Sequence, residues 1–212
     1  YKSDVPANGF EKNKISNFKK FFETMKKNIY LSEQNLKYTF KEITLILDNF
    51  DTSFVNLSGY KRLNGSQILR ENITYILNTL KSCVSEIELK KTILHIFNSK
   101  FILDKKKIEN LPIGLFGDFY SHELSFALIN YNDDKNLNLI INKCNLKLKK
   151  IFLKSFIKGT RLSDDYKNID TFFYIQIKDN NSKIFYFEND SLKSEQNFSF
   201  GTDIIIKDVS KI

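Results

Sequence analysis

Arginine is almost missing from this sequence. Of its 33 basic residues only Arg62, Arg70 and Arg161 are arginines, and the lysines are spread along the chain. There is no arginine-rich block and no basic stretch interleaved with aromatics. The net charge of +8 therefore reads as a solvated basic surface, and no nucleic-acid partner is expected. Cysteine is as scarce: Cys83 and Cys144 form no CxxC pair and no disulfide framework. That excludes a stapled secreted scaffold and fits a reduced cytosolic setting. No apolar run approaches membrane-spanning length, and no signal peptide stands at the start. The chain opens on Tyr1 and stops just as a helix begins, so it reads as a fragment of a longer protein.

Catalytic motifs are missing as well. No Walker-type loop, GxGxxG or GxSxG occurs. His95 and His122 lie in strand-like runs without carboxylate or cysteine partners at ligand spacing, so they read as structural residues. The pairs Asp133-Asp134 and Asp164-Asp165 fall in polar turns, where capping and solvent account for them. No catalytic residue, no metal ligand and no enzymatic activity are expected.

What the sequence has is bulk and periodicity. Its 212 residues, with 20 Phe and 10 Tyr, suffice for one large domain or two small ones with a real core. Ile15, Phe18, Phe22, Met25 and Ile29 recur at helical spacing and predict a helix from about Lys12 to Tyr30. The run 42–50 is continuously apolar, as in a strand covered on both faces, and 52–63 alternates as a second strand. Asn64, Gly65 and Ser66 offer cap chemistry before an amphipathic helix over 66–83. Strands follow at 91–97, 100–104 and 122–131, then a helix capped by Asp133 or Asp134 with the stripe Leu137, Ile140, Ile141 and Cys144. A strand over 148–156 and a polar linker over 158–168 come next. Two hairpin strands, 170–177 and 183–189, then a third, 192–200, precede a terminal helix. The expected class is α/β (mixed α+β).

The interior proline and two of the seven glycines sit together in "ENLPIGLFGD". With its flanks, "ILHIFNSKFILDKKKIENLPIGLFGD" resembles a stretch of the bacterial cell-division protein FtsA. That family shows a "vlHvip" strand, a short "f.lD" strand, then "GI.nPiGm.G" and a long strand. The matching positions are Leu94, His95, Ile96, Phe101, Asp104, Ile108, Asn110, Pro112, Ile113, Gly114 and Gly117. Downstream, "FSFGTDIIIKDV" is similar to the family's "ipvGGdhiTnDIa", with Gly201, Asp203, Ile205, Asp208 and Val209 in place. The likeness is colinear over about residues 10 to 212.

The resemblance implies an actin-like lobe fragment carrying the FtsA-type inserted subdomain, strand-helix-strand-strand-helix-strand. Residues 1–51 would be part of the first lobe and 52–156 the inserted interaction subdomain. Residues 157–212 would end the first lobe and begin the second with β-hairpins. It further implies a division scaffold that links FtsZ and later division proteins, self-associates and works in the cytoplasm. It would sit peripherally on the inner face of the membrane at the division site, attached through regions outside this chain. Arg62, Asp118 and Phe119, at strand–loop edges of the subdomain, are its candidate interaction residues.

One departure bears on chemistry. FtsA holds ATP and magnesium with a hairpin of type "DiGggTtD", whereas the aligned segment here is "QIKDNNSK". Gln176 and Lys183 stand at its terminal acids, and Lys178, Asp179, Asn180 and Asn181 fill its turn. A β-carbon at such a turn blocks backbone approach to phosphate, and lost carboxylates remove magnesium partners. No cofactor is expected from this segment, and any ATP binding through it should be weak or absent. Three competing readings remain: another actin-like assembly protein of pilus type, an ATP-dependent kinase-like enzyme, and a basic α/β nucleic-acid adaptor.

Overall fold

A short ribbon precedes the first helix. Strands β1 (Phe10–Glu11) and β2 (Lys14–Ile15) pair antiparallel through Lys12 and Asn13, both at positive φ, as a two-residue hairpin turn requires. Asn17 then caps α1 (Phe18–Leu36), its side chain accepting from the Lys20 amide. The helix thus starts six residues later than its stripe alone predicts, because the hairpin turn and the Asn17 cap take 12–17 out of it, and it ends six residues later, where Lys37 turns left-handed. This computed structural model describes residues 1–166 and 169–210, without the side chains of Ile205 and Asp208; Lys167 and Asn168 of the expected linker lie outside the described residues.

β3 (Glu42–Leu47) and β4 (Thr52–Arg62) follow. The backbone of 63–68 does not enter the next helix as expected. Leu63, Gly65 and Ile68 donate to the carbonyls of Asp118, Gly117 and Leu115, which extends the sheet. α2 (Arg70–Ile87) begins only after that ladder ends, with Leu69 as N-cap in place of the Asn64–Ser66 cap chemistry. It buries Ile76, Leu80 and Val84, each worth about 1.5–3 kcal/mol on full burial. Gly59 on β4 admits this helix, since a Cβ there would lie 2.6 Å from Ile76 Cγ2.

The strands expected at 91–97 and 100–104 are one strand, β5 (Lys91–Leu103), bent by irregularities at Ile93/His95 and Asn98/Lys100. It turns through Asp104 and Lys105, both at positive φ, into β6 (Lys106–Ile108). β7 (Phe119–Asn130) completes an antiparallel sheet in the order β4-β7-β5-β6. β7 is covered on both faces. Tyr120, Leu124, Phe126 and Leu128 meet α2, while Ala127 and Ile129 enter a second core.

α3 (Tyr131–Lys143) is capped by Asn130, whose side chain accepts from the Asn132 amide; Asp133 and Asp134 sit one turn inside, against the positive helix end. β8 (Lys147–Leu153) then runs parallel to β3, Leu153 opposite Leu47. The stretch read as strand end and polar linker is α4 (Lys154–Asp165). It packs through Phe156, whose ring lies 4.5 Å from that of Phe97, and through Gly159, where a Cβ would lie 1.9 Å from Phe187 Cζ. Residue 156 lies inside this helix. β9 (Phe172–Ile177), β10 (Ser182–Glu188) and β11 (Ser191–Phe198) make a three-stranded antiparallel sheet, with Asn189 and Asp190 at positive φ in the second turn. α5 (Asp203–Val209) ends the described chain. The second core joins all these parts: Leu47 and Phe50 pack with Ala127, Leu153, Phe185 and Leu192.

Candidate functional site

The parallel pair β3 and β8 places its carboxyl ends side by side, the usual location of sites in such sheets. One residue past the paired Leu47 and Leu153 come Asp48 and Lys154, bonded Nζ to Oδ2 at 2.7 Å. The β9–β10 hairpin leans over this pair. Lys178 Nζ donates to Asn49 Oδ1 at 3.2 Å, and Lys183 Nζ meets Glu195 Oε1 at 2.7 Å. Glu195 in turn accepts from the Thr52 hydroxyl at 3.0 Å. Burial alone pushes the Asp48 carboxyl up, but the Lys154 hydrogen bond and the charges of Lys154, Lys178 and Lys183 outweigh it and hold the group below the ordinary carboxylate range.

Between these side chains lies a cavity of about 20 Å³, lined by Asp48, Asn49, Thr52, Lys154, Gln176 and Lys183 among others. That is room for one water. A triphosphate with magnesium does not fit among the side chains as they stand. Each lysine already has an oxygen partner, and the Glu195 carboxylate is taken up by Lys183 and Thr52.

The hairpin turn is equally occupied. None of residues 178–181 has positive φ, so the asparagines do not reproduce a glycine-like cradle. The carbonyls of Lys178 and Asp179 accept from the amides of Thr202 and Asp203 at the start of α5. Gly201 makes this approach feasible, because a Cβ there would lie 1.9 Å from Lys178 O. The side chains of Asp179, Asn180 and Asn181 point to solvent.

Of the residues expected at the hairpin, the structure thus gathers Gln176, Lys178 and Lys183, and leaves Asp179, Asn180 and Asn181 outside. Asp48, Lys154 and Glu195 were not anticipated. A signal existed for two of them, since each is the first polar residue after an apolar strand run. A second charge cluster, also unanticipated, clamps the two larger sheets. Lys193 reaches Glu123, and Glu188 at 3.7 Å, while Lys100 meets Glu188 at 2.8 Å. Burial raises the Glu123 carboxyl, and the Lys193 and Lys100 charges with the Ser99 hydroxyl bring it below its ordinary value.

Arg62, Asp118 and Phe119 lie together at the far end of the four-stranded sheet. Arg62 pairs with Phe119, whose ring stacks on Tyr60 at 5.2 Å, and the Leu63 amide donates to Asp118 O. His122 is buried with Nε2 3.1 Å from Asn98 Oδ1, and His95 sits among Phe97, Phe152 and Phe156. Among the described residues no group of His, Cys, Asp and Glu is placed to hold a metal ion, and no helix is long and apolar enough to cross a membrane.

No protein-family model and no curated protein sequence matches the chain. Among solved structures, the chain is similar to one from a PilM-PilN type IV pilus biogenesis complex. The match has a TM-score of 0.61 at 6% identity over 99% of this chain and 56% of that one. A protein with an actin-like ATPase fold and unknown function from Bacteroides thetaiotaomicron matches with a TM-score of 0.38 at 13% identity, over 90% of this chain and 60% of that one. The chain therefore spans little more than half the length of the pilus-complex chain. At such identities the likeness is one of fold alone, a mixed α/β architecture shared with the pilus-complex chain.

Proposed function

We propose that this chain is part of an actin-like assembly protein that works as a protein–protein scaffold without gripping ATP through its β9–β10 hairpin. The observation that carries this is the Lys183–Glu195 pair, which fills the place where the resemblance to FtsA puts acids and glycines. A lysine ammonium there neutralises the neighbouring carboxylates without a metal ion, and the surrounding space has room for one water. The closed geometry needs no nucleotide to hold it.

The finer reading follows the resemblance over "ILHIFNSKFILDKKKIENLPIGLFGD". On it, residues 52–156 are the interaction subdomain between parts of the first lobe, 1–51 and the start of 157–212. The partners are FtsZ, later division proteins and further copies of the chain, and the location is the cytoplasmic face of the membrane at the division site. Co-sedimentation of the full-length protein with FtsZ filaments tests it. Pelleting with FtsZ supports the tether, and no pelleting under conditions where FtsZ assembles sinks it.

The likeness to the PilM-PilN complex favours a second reading, a pilus-type assembly protein whose partner is a PilN-like subunit. Failure to bind FtsZ together with saturable binding of a PilN-type protein would select it.

A further inference from the structure

We propose that the four charges Lys100, Glu123, Glu188 and Lys193 form a latch, and that residues 52–130 swing about their own two ends when it opens. This goes beyond the scaffold reading and does not depend on which partner that scaffold meets.

Topology sets the hinge. Residues 52–130 hold β4, α2, β5, β6 and β7 as one continuous insertion. The chain enters it at Thr52 and leaves it at Asn130, and Thr52 pairs with Ile129 in the β4–β7 ladder. The two connections therefore run side by side and define one line about which the unit can turn.

The contacts change character with distance from that line. Phe54, Phe97 and Ala127 lie within four ladder positions of the Thr52–Ile129 pair and share a core with Phe185, Phe187 and Leu192. Past Ser125, whose hydroxyl donates to Leu192 O at 2.9 Å, the sheets meet through polar groups. Glu123 stands six residues before Ile129, about 20 Å along the strand. There Lys193 contacts Glu123 and lies 3.7 Å from Glu188, while Lys100 meets Glu188 at 2.8 Å and Glu123 at 4.0 Å. The ring alternates in sign, and each sheet supplies one lysine and one glutamate.

Such a ring holds weakly. Desolvation offsets much of the attraction within it. The side chains of Lys100, Glu123 and Glu188 also stay 30%, 26% and 25% exposed, where salt screens them. A polar contact at the end of a long lever permits a motion that a large apolar interface would forbid.

Opening frees the Lys193 ammonium, whose side chain is 6% exposed when closed, but not that of Lys183, at 9%. Lys183 is bonded to Glu195 of its own sheet, and Glu195 accepts from Thr52 at the hinge line itself.

Brief acylation of the folded protein with N-hydroxysuccinimidyl acetate, read by mass spectrometry, tests this. Rates are taken relative to the exposed Lys19. Lys193 should react at least about tenfold faster than Lys183. Raising salt from about 50 mM to about 500 mM should speed Lys193 and leave Lys183 unchanged. Lys100→Met should speed Lys193 by about tenfold or more. In the closed state the lost cation makes the Lys193 amine less reactive, so only opening accounts for an increase. A common rate for both lysines in every condition overturns the proposal, because global unfolding exposes both. An unchanged or slower Lys193 in the variant overturns it too, as does an equal acceleration of both lysines. A wild-type Lys193 rate indifferent to salt overturns it whether or not the variant folds.

Discussion

Lys183 on β10 and Glu195 on β11 meet at 2.7 Å with their side chains only 9% and 7% exposed. They are not opposite each other in the ladder: Lys183 faces Asn197 and Glu195 faces Phe185. The pair is diagonal, inside the sheet face that covers Asp48. Removing one member leaves an uncompensated buried charge, so Lys183→Met or Glu195→Leu alone should cost about 3–5 kcal/mol in urea unfolding. The double variant should recover most of that loss, because two apolar side chains replace two charges. By contrast Lys154→Met, whose pair with Asp48 is 44% and 36% exposed, should cost less than about 1 kcal/mol.

Acid should weaken the fold in two windows. Burial pushes the His122 imidazole down to about 4, from an ordinary value of 6.5. The unfolded chain therefore takes up a proton that the fold refuses. The stability is full above pH 6.5 and is lost as pH falls from there toward 4, by up to about 1.4 kcal/mol per unit. The carboxylates of Asp48 and Glu123, held below their ordinary values, contribute above the usual carboxylate range and lose that contribution at lower pH. Thermal midpoints of wild type and His122→Gln, measured from pH 7 to pH 3, separate the two. The variant should keep only the smaller slope from His95, which burial also holds below its ordinary value, and a wild-type slope left unchanged by the substitution would exclude His122 as its source.

Gly201→Ala should detach the hairpin from α5. The new Cβ would meet Lys178 O at 1.9 Å and Asp179 O at 2.4 Å, and backbone atoms yield less readily than side chains. A loss of about 1–3 kcal/mol is expected, with faster amide exchange at Thr202 and Asp203. Unchanged exchange at those two amides would mean that their bonds to the hairpin do not form in solution.

The elements most legible in the sequence were those with one dominant signal. Ile76 and Leu80 lie on the buried face of the amphipathic helix expected over 66–83. The run 42–50, read as a strand covered on both faces, is covered on one: in β3 Ile46 is 58% exposed. Boundaries failed where short-range polar chemistry decided them, as at Asn13 and Asn17 before α1 and at Asn130 before α3. α4 was hidden because it meets the core through Phe156 and through a glycine beneath the Phe187 ring, and a glycine contact leaves no apolar signal in the sequence. The Asp48–Lys154 pair depends on β3 and β8 lying parallel, a long-range fact. Lys183 was legible as a departure from an acid, but its partner Glu195 needed the β10–β11 register.

Titration of the full-length protein with Mg-ATP by calorimetry tests the occupied hairpin most directly. Wild type should give no saturable heat, because Lys183, Lys178 and Lys154 are already bonded to Glu195, Asn49 and Asp48. Saturable binding of Mg-ATP in the micromolar range would contradict it.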